Sequence, residues 1–213
     1  MILAISGSPR KDRMIHNTLK EILRGCKEPY EIITLSGKRI NGCIACTMCA
    51  NDNICKVKDD WSLIAEKMLK ADIIIFGAPN YYNTLNALSH ACLERTFAFR
   101  HRSAFLLKEK LGITVSTYRE GVNSDNVQSM IEKFMKSNQM NIVGHVACHE
   151  YSQCYTCGYG YDCEAGSVVR CHGVLKSIQY YDLPNEVESQ QDTLNEIKKI
   201  KEVLKKRGIE YEK

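Results

Sequence analysis

A chain of 213 residues, 44% of them hydrophobic and 25% charged, is long enough to bury a sizeable core without disulfides, and its composition excludes a disordered or fibrous class. The formal net charge of +4 is small and evenly spread, which argues against the clustered basic stripe of a nucleic-acid surface and favours small-molecule or protein partners. No apolar run approaches the roughly 20 residues that span a bilayer, so no membrane role is expected.

Taken in order, Met1-Ile2-Leu3-Ala4-Ile5-Ser6-Gly7 reads as a strand rather than a leader, and the expected compartment is the cytoplasm. In that reducing setting 11 cysteines point to metal binding or redox chemistry rather than a disulfide framework. After the loop Gly7-Ser8-Pro9-Arg10, the pair Asn17-Thr18 precedes Leu19, Ile22 and Leu23 at helical spacing, placing a helix start near Asn17. Tyr30 to Leu35 is a second strand. Asp59 or Asp60 then caps a helix running to about Lys70, with Leu63, Ile64, Met68 and Leu69 as its apolar face. Ala71 to Phe76 is a continuous apolar strand of the kind buried on both faces of a parallel sheet. Leu85 to Phe99 reads as helix, Leu111 to Ser116 as strand, Asp125 to Met135 as helix and Asn141 to Ala147 as the fifth strand. A final helix spans 186–207, with Asn185 as its cap and Gly208 just past its end.

Five strands alternating with helices predict a single α/β domain with a doubly wound parallel sheet, because each parallel return needs a crossover that covers a face. Ligands in such sheets bind at the carboxyl ends of the strands. There the chain carries Ser6 to Arg10, a cysteine loop over 41–58, Gly77 to Asn83, and Thr117 to Gly121. In the first of these loops, hydroxyls, a glycine and Arg10 stand ahead of a helix start, where free N–H groups and the macrodipole favour an anion such as phosphate. Neither P-loop spacing nor GxGxxG is present. In the third, Pro79, Asn80, Tyr81, Tyr82 and Asn83 combine amides and aromatic rings suited to a flat heterocycle.

Cys43, Cys46 and Cys49 at overlapping x2 spacing, followed by Cys55, bring four soft donors into one loop, which suits a 4Fe-4S cluster. Structural zinc also takes four thiolates, though usually from two separated CxxC turns. A second group, Cys154, Cys157, Cys163 and Cys171, lies in a cysteine-rich loop over 148–173 with Cys148, His149 and His172 close by. It fits a second cluster, zinc, free thiols or a redox-active pair. Cys26 and Cys92 read as small core residues.

The Ser-Gly-Ser-Pro-Arg start with Asn17-Thr18 resembles the FMN phosphate loop of the flavodoxin-like NAD(P)H-dependent FMN reductase superfamily. Pro79-Asn80-Tyr81 followed by Glu94-Arg95 is similar to its isoalloxazine loop, where an Asp-Arg pair stands on the next helix. Within that superfamily the compact cysteine motif resembles the iron-sulfur flavoproteins. The resemblance covers roughly residues 1–150 and implies a flavodoxin-like fold, noncovalent FMN, one 4Fe-4S cluster and homodimers or homotetramers in which a cluster lies near a neighbour's FMN. It implies that Ser6, Ser8, Arg10, Asn17 and Thr18 hold the phosphate and that residues 79 to 83 surround the ring, with Pro9 and Thr117 in the same set. The chain departs from the family in a longer, more charged stretch between Arg10 and Asn17, in His90 near the place of a common Lys, and in Glu94 for Asp.

The function expected is electron transfer from a ferredoxin-like one-electron donor, through the cluster and FMN, to a small acceptor such as dioxygen, peroxide or a quinone. The functional residues are cofactor ligands, with no covalent catalytic residue. Alternatives are an NAD(P)H-dependent FMN or quinone reductase with structural zinc in the cysteine loop, and a metal-binding redox-sensing module.

Overall fold

A computed structural model of the chain describes residues 1–119, 123–183 and 186–212. The elements are β1 (Ile2–Ser6), α1 (Met14–Leu23), β2 (Tyr30–Thr34), α2 (Trp61–Lys70), β3 (Ile73–Ala78), a hairpin of β4 (Asn80–Tyr81) and β5 (Thr84–Leu85), and α3 (Ala87–Glu94). They continue with β6 (Leu111–Tyr118), α4 (Asp125–Ser137), β7 (Asn141–His149), α5 (Ser167–His172) and α6 (Gln191–Lys205).

The five long strands form one parallel sheet in the order β2-β1-β3-β6-β7, as the alternating pattern predicts. Side chains alternate across it: Leu3 and Ile5 of β1 join the core under α2, α3 and α4, whereas Ile2 and Ala4 join the core under α1 and α6. Both β1 and β3 are buried along their whole length, the physical reason for their unbroken apolar runs. Strand order reverses between β1 and β3, which opens the crevice used by ligands in doubly wound sheets.

Several local expectations are corrected. Helix α1 begins at Met14 rather than near Asn17, because Met14 and Ile15 are both fully buried and packing extends the helix by a turn. The buried face of α2 is Trp61, Ile64, Ala65 and Met68, spaced i, i+3, i+4, i+7, and Leu63 and Leu69 of the expected face are exposed. The helix expected over 85–99 divides into the end of the hairpin, α3 and a 3-10 segment Arg95–Arg100, where the Thr96 hydroxyl bonds to the Leu93 carbonyl and Arg95 turns inward. A 3-10 turn Val187–Ser189 precedes α6, which starts at Gln191 rather than 186, and Asn185 lies outside the described residues. Gly208, at φ +89°, does end that helix, with its N–H on the Lys205 carbonyl. Among the described residues no helix is long and apolar enough to cross a membrane.

Candidate functional site

At the carboxyl ends of β1, β3, β6 and β7 the backbone turns enclose a cavity of about 350 Å³ walled by Arg10, Asn80, Tyr81, Thr117, Glu150 and Tyr151. The loop after β1 is fixed from below. Gly7 donates to the Gly77 carbonyl and its own carbonyl accepts from Asn86 Nδ2 (2.9 Å) and Ser89 Oγ (3.2 Å). A Cβ at Gly7 would stand 1.9 Å from Ser89 Oγ, so only glycine lets α3 press this closely on the loop. Ser8 Oγ accepts from the Arg10 amide at 3.2 Å, and Ser6 Oγ is buried without a hydrogen-bond partner.

Thr117 ties the hairpin to β6: its Oγ1 accepts the Asn80 amide at 2.9 Å. Tyr82 (φ +53°) and Asn83 (φ +61°) form the two-residue turn of the hairpin, the left-handed pair that a tight hairpin requires. Tyr82 is 99% exposed at the rim while Tyr81 is half-buried. Of the residues expected around a flavin, Arg10, Asn80, Tyr81, Tyr82 and Thr117 line the cavity. Ser6 ends β1, Ser8, Pro9 and Pro79 belong to the adjoining loops, and Asn83 is at the exposed hairpin tip. Thr18 is buried within α1 with its hydroxyl on the Met14 carbonyl (2.7 Å), and the Asn17 amide bonds to the Arg13 carbonyl. Gly121 lies outside the described residues.

The loop after β7, expected as a cysteine-rich metal or redox segment, also supplies Glu150 and Tyr151 to the cavity, which no residue motif in the sequence indicates. Glu150 lies 3.5 Å from Arg10, which also donates to the Tyr151 carbonyl at 3.2 Å and lies over the Tyr151 ring. Burial raises the Glu150 carboxyl above its ordinary value, opposed by Arg10, Thr117, Arg119 and Arg13. The loop's position at the carboxyl end of a strand in a doubly wound sheet is the signal that points to it.

The cysteine loop is organised by α3 and the 3-10 segment behind it. Arg95, 2% exposed, donates from Nε to Cys55 Sγ at 3.2 Å, to the carbonyls of Asn41 (2.9 Å) and Val57 (3.3 Å), and to Asp59 at 2.8 Å. Glu94 Oε2 accepts the Cys43 amide at 2.9 Å, and His101 Nε2 lies 3.0 Å from Cys49 Sγ. The Glu94-Arg95 pair, read from the resemblance as part of the isoalloxazine loop, thus clamps the cysteine loop. Left-handed residues Ala45, Thr47 and Asn53 wrap the chain around buried Cys49. Burial raises the Cys49 thiol, and the charges of Cys55, Cys43 and Cys46 raise it further. Among the described residues no three Cys, His, Asp or Glu side chains converge closely enough to hold a single metal ion. The donor set nevertheless fits an iron-sulfur centre in its chemistry: four cysteine sulfurs on one loop, with Arg95 Nε–H donating to Cys55 Sγ and His101 Nε2 lying against Cys49 Sγ.

Elsewhere, Cys92 and Cys148 are wholly buried, and burial pushes both thiols up to about 12, which makes them inert packing groups. Cys26 is half-buried beside the bridge to Tyr211, and His90 packs edge-on against Phe134. In the second cysteine group, Cys154 lines the cavity while Cys157 and Cys171 are exposed. His172 Nε2 is 2.9 Å from the Tyr155 hydroxyl.

Comparison with known proteins agrees with this arrangement. Residues 1–153 match the family described as NADPH-dependent FMN reductase. The chain is 32% identical over 148 residues to an iron-sulfur flavoprotein of Methanocaldococcus jannaschii, covering 67% of this chain and 75% of the relative. It is 33% identical to an iron-sulfur flavoprotein of Methanosarcina thermophila, covering 67% and 76% respectively. Among solved structures, the Trp repressor binding protein of Bacillus subtilis superposes with a TM-score of 0.52 at 18% identity over 71% of this chain and 88% of that one. RosB superposes with a TM-score of 0.59 at 13% identity over 96% and 75%. Together with the 2-1-3-4-5 order of the long strands, these likenesses show a flavodoxin-like fold. The chain belongs to the NADPH-dependent FMN reductase family and, within it, to the iron-sulfur flavoproteins, which makes it an FMN-dependent oxidoreductase.

Proposed function

We propose that this protein transfers electrons between a ferredoxin-like one-electron donor and a small acceptor such as dioxygen, peroxide or a quinone, using FMN in the 350 Å³ cavity and a 4Fe-4S cluster on Cys43, Cys46, Cys49 and Cys55. When bound, FMN exchanges electrons singly or in pairs and a 4Fe-4S cluster one at a time, so the two together join one-electron and two-electron partners. Arg10 and the amides of the loop after β1 supply positive potential for the phosphate. Asn80, Tyr81 and Thr117 offer the polar edge and aromatic face for the ring. Arg95 donates to Cys55 Sγ and favours negative charge there, and His101 Nε2 packs against Cys49 Sγ.

The observation that carries this reading is the pair of nitrogen contacts on the thiols, Arg95 Nε donating to Cys55 Sγ at 3.2 Å and His101 Nε2 lying 3.0 Å from Cys49 Sγ, in a chain whose strand ends also form a cavity suited to an anionic aromatic ligand. No cysteine of this loop is among the residues that wall the cavity. The loop exposes Ile44, Met48 and Ile54, and the cavity rim exposes Tyr82. These apolar surfaces fit a homodimer or homotetramer in which the cysteine loop of one copy meets the cavity of the next, in the cytoplasm. Anaerobic purification followed by an ultraviolet-visible spectrum and iron, sulfide and zinc analysis tests the reading; flavin with about four irons per chain supports it, and iron-free protein overturns it.

The family match favours a second reading, an NAD(P)H-dependent FMN or quinone reductase with structural zinc on the same four cysteines. Rapid bleaching of the flavin by NADPH in zinc-containing, iron-free protein would establish it.

A further inference from the structure

Beyond the matched residues 1–153, the chain places a CxxC turn against the proposed flavin cavity. Cys154 is one of the cavity's walls, together with Gln153 and Tyr81. The 3-10 turn Gln153–Tyr155 is capped by Ser152, whose Oγ accepts the Cys154 amide at 3.1 Å. This turn brings Cys157 back over Cys154, with its Sγ 3.4 Å from the Cys154 carbonyl. The Tyr159 amide donates to the same sulfur at 3.4 Å. A Cβ at Gly160 would stand 1.9 Å from the Cys154 carbonyl, so the chain folds tightly round the pair. Cys154 therefore stands at the cavity and Cys157, three residues on, at the exposed surface.

We propose that Cys154 and Cys157 are a redox-active dithiol/disulfide couple that receives an electron pair from the reduced flavin, a role that rests on FMN occupying the cavity. The balance is complete without another reagent. Reduced FMN gives up two electrons and a proton; the Cys154–Cys157 S–S bond breaks; two S–H bonds form, the second proton coming from solvent. In reverse, the Cys154 thiol is the group adjoining the flavin and Cys157 closes the disulfide. The surroundings of Cys154 suit that part: hydrogen bonds from the Ser152 side chain and the Ser167 backbone favour its thiolate. Cys148, also near this end of the sheet, is sealed in the core and takes no part.

The test is photoreduction of the FMN-loaded protein with EDTA under anaerobic light, so that electrons enter through the bound flavin, with aliquots alkylated and the 154–157 peptide weighed by mass spectrometry. The expected result is a Cys154–Cys157 disulfide in the oxidised protein that opens as the flavin is reduced. The variants C154S and C157S, with FMN retained, should each take up two fewer electrons per chain than the wild type. Thiols that alkylate fully before any reduction in air-oxidised protein would overturn the proposal, as would iron or zinc released on replacing Cys154 or Cys157. Wild-type protein that holds no FMN would overturn the flavin reading itself, an outcome visible in the starting spectrum and separate from the thiol result.

Discussion

Arg95 and Asp59 form an ion pair at 2.8 Å with side chains 1% and 3% exposed, and the same guanidinium reaches Cys55 Sγ and lies over the Trp61 ring. One residue thus joins Asp59, which accepts the Trp61 amide at the start of α2, the 3-10 segment behind α3 and the cysteine loop. Removing one partner of a buried pair strands the other charge, so Arg95→Met should destabilise the protein by about 3–5 kcal/mol, read by urea unfolding. The softer Arg95→Lys keeps the charge but lacks the fork, and should lower iron content while the chain still folds.

The cysteines divide by environment. Cys49→Ala should abolish the cluster's visible absorption and leave FMN bound, whereas Cys92→Ala, at a site with no exposure, should keep the full spectrum and cost about 1 kcal/mol through lost packing. A spectrum unchanged by Cys49→Ala would remove the cluster assignment.

Arg10 and Glu150 act against each other on an anionic ligand. Arg10→Met should weaken FMN binding by about 1.5–3 kcal/mol, the worth of a charge-assisted hydrogen bond. Glu150→Gln removes a buried negative charge 3.5 Å from Arg10, and should tighten FMN binding by about tenfold or more. Quenching of flavin fluorescence on titration measures both, and equal effects of the same sign would contradict the arrangement.

His145 sets a pH dependence. Thr114 Oγ1 lies 2.7 Å from its Nδ1 and Ser116 Oγ 3.2 Å from its Nε2, so the neutral ring is satisfied. Burial lowers its pKa from 6.5 to about 4, against the opposing charge of Glu132. The folded ring is harder to protonate than the unfolded one. This contribution to stability is therefore full above about pH 6.5 and is lost as the pH falls toward 4, a change of about 2–3 kcal/mol. Unfolding measured at pH 7 and pH 4.5 should show a smaller difference in His145→Gln than in the wild type.

Gly7 leaves no room for a side chain. Gly7→Ala brings a methyl against Ser89 Oγ and within 2.9 Å of the Gly77 carbonyl, and should cost about 1–3 kcal/mol through overpacking while weakening FMN binding. Adding Ser89→Ala should recover part of the loss but not all, because the Gly77 carbonyl is backbone. Full recovery in the double variant would show that the carbonyl contact relaxes freely.

The sequence by itself determined the five-stranded parallel sheet, because strands buried on both faces must be apolar throughout and each parallel return needs a covering helix. It also located three of the four cavity loops and the four clustered cysteines, since glycine, proline and cysteine spacing is local information. Helix limits were less legible: Met14 and Ile15 extend α1 because α1 packs on the sheet, and Leu63 is exposed because Trp61 and Ala65 take the inner face, facts of packing rather than periodicity. Only the tertiary structure decided that Arg95 serves the cysteine loop, that Glu150 closes the cavity against Arg10, and that Cys154 stands in its wall. Arg95 lies 40 positions from Cys55, and Arg10 lies 141 from Tyr151. Contacts across such separations depend on how the sheet and its layers bring distant strand ends together, and no local pattern encodes them.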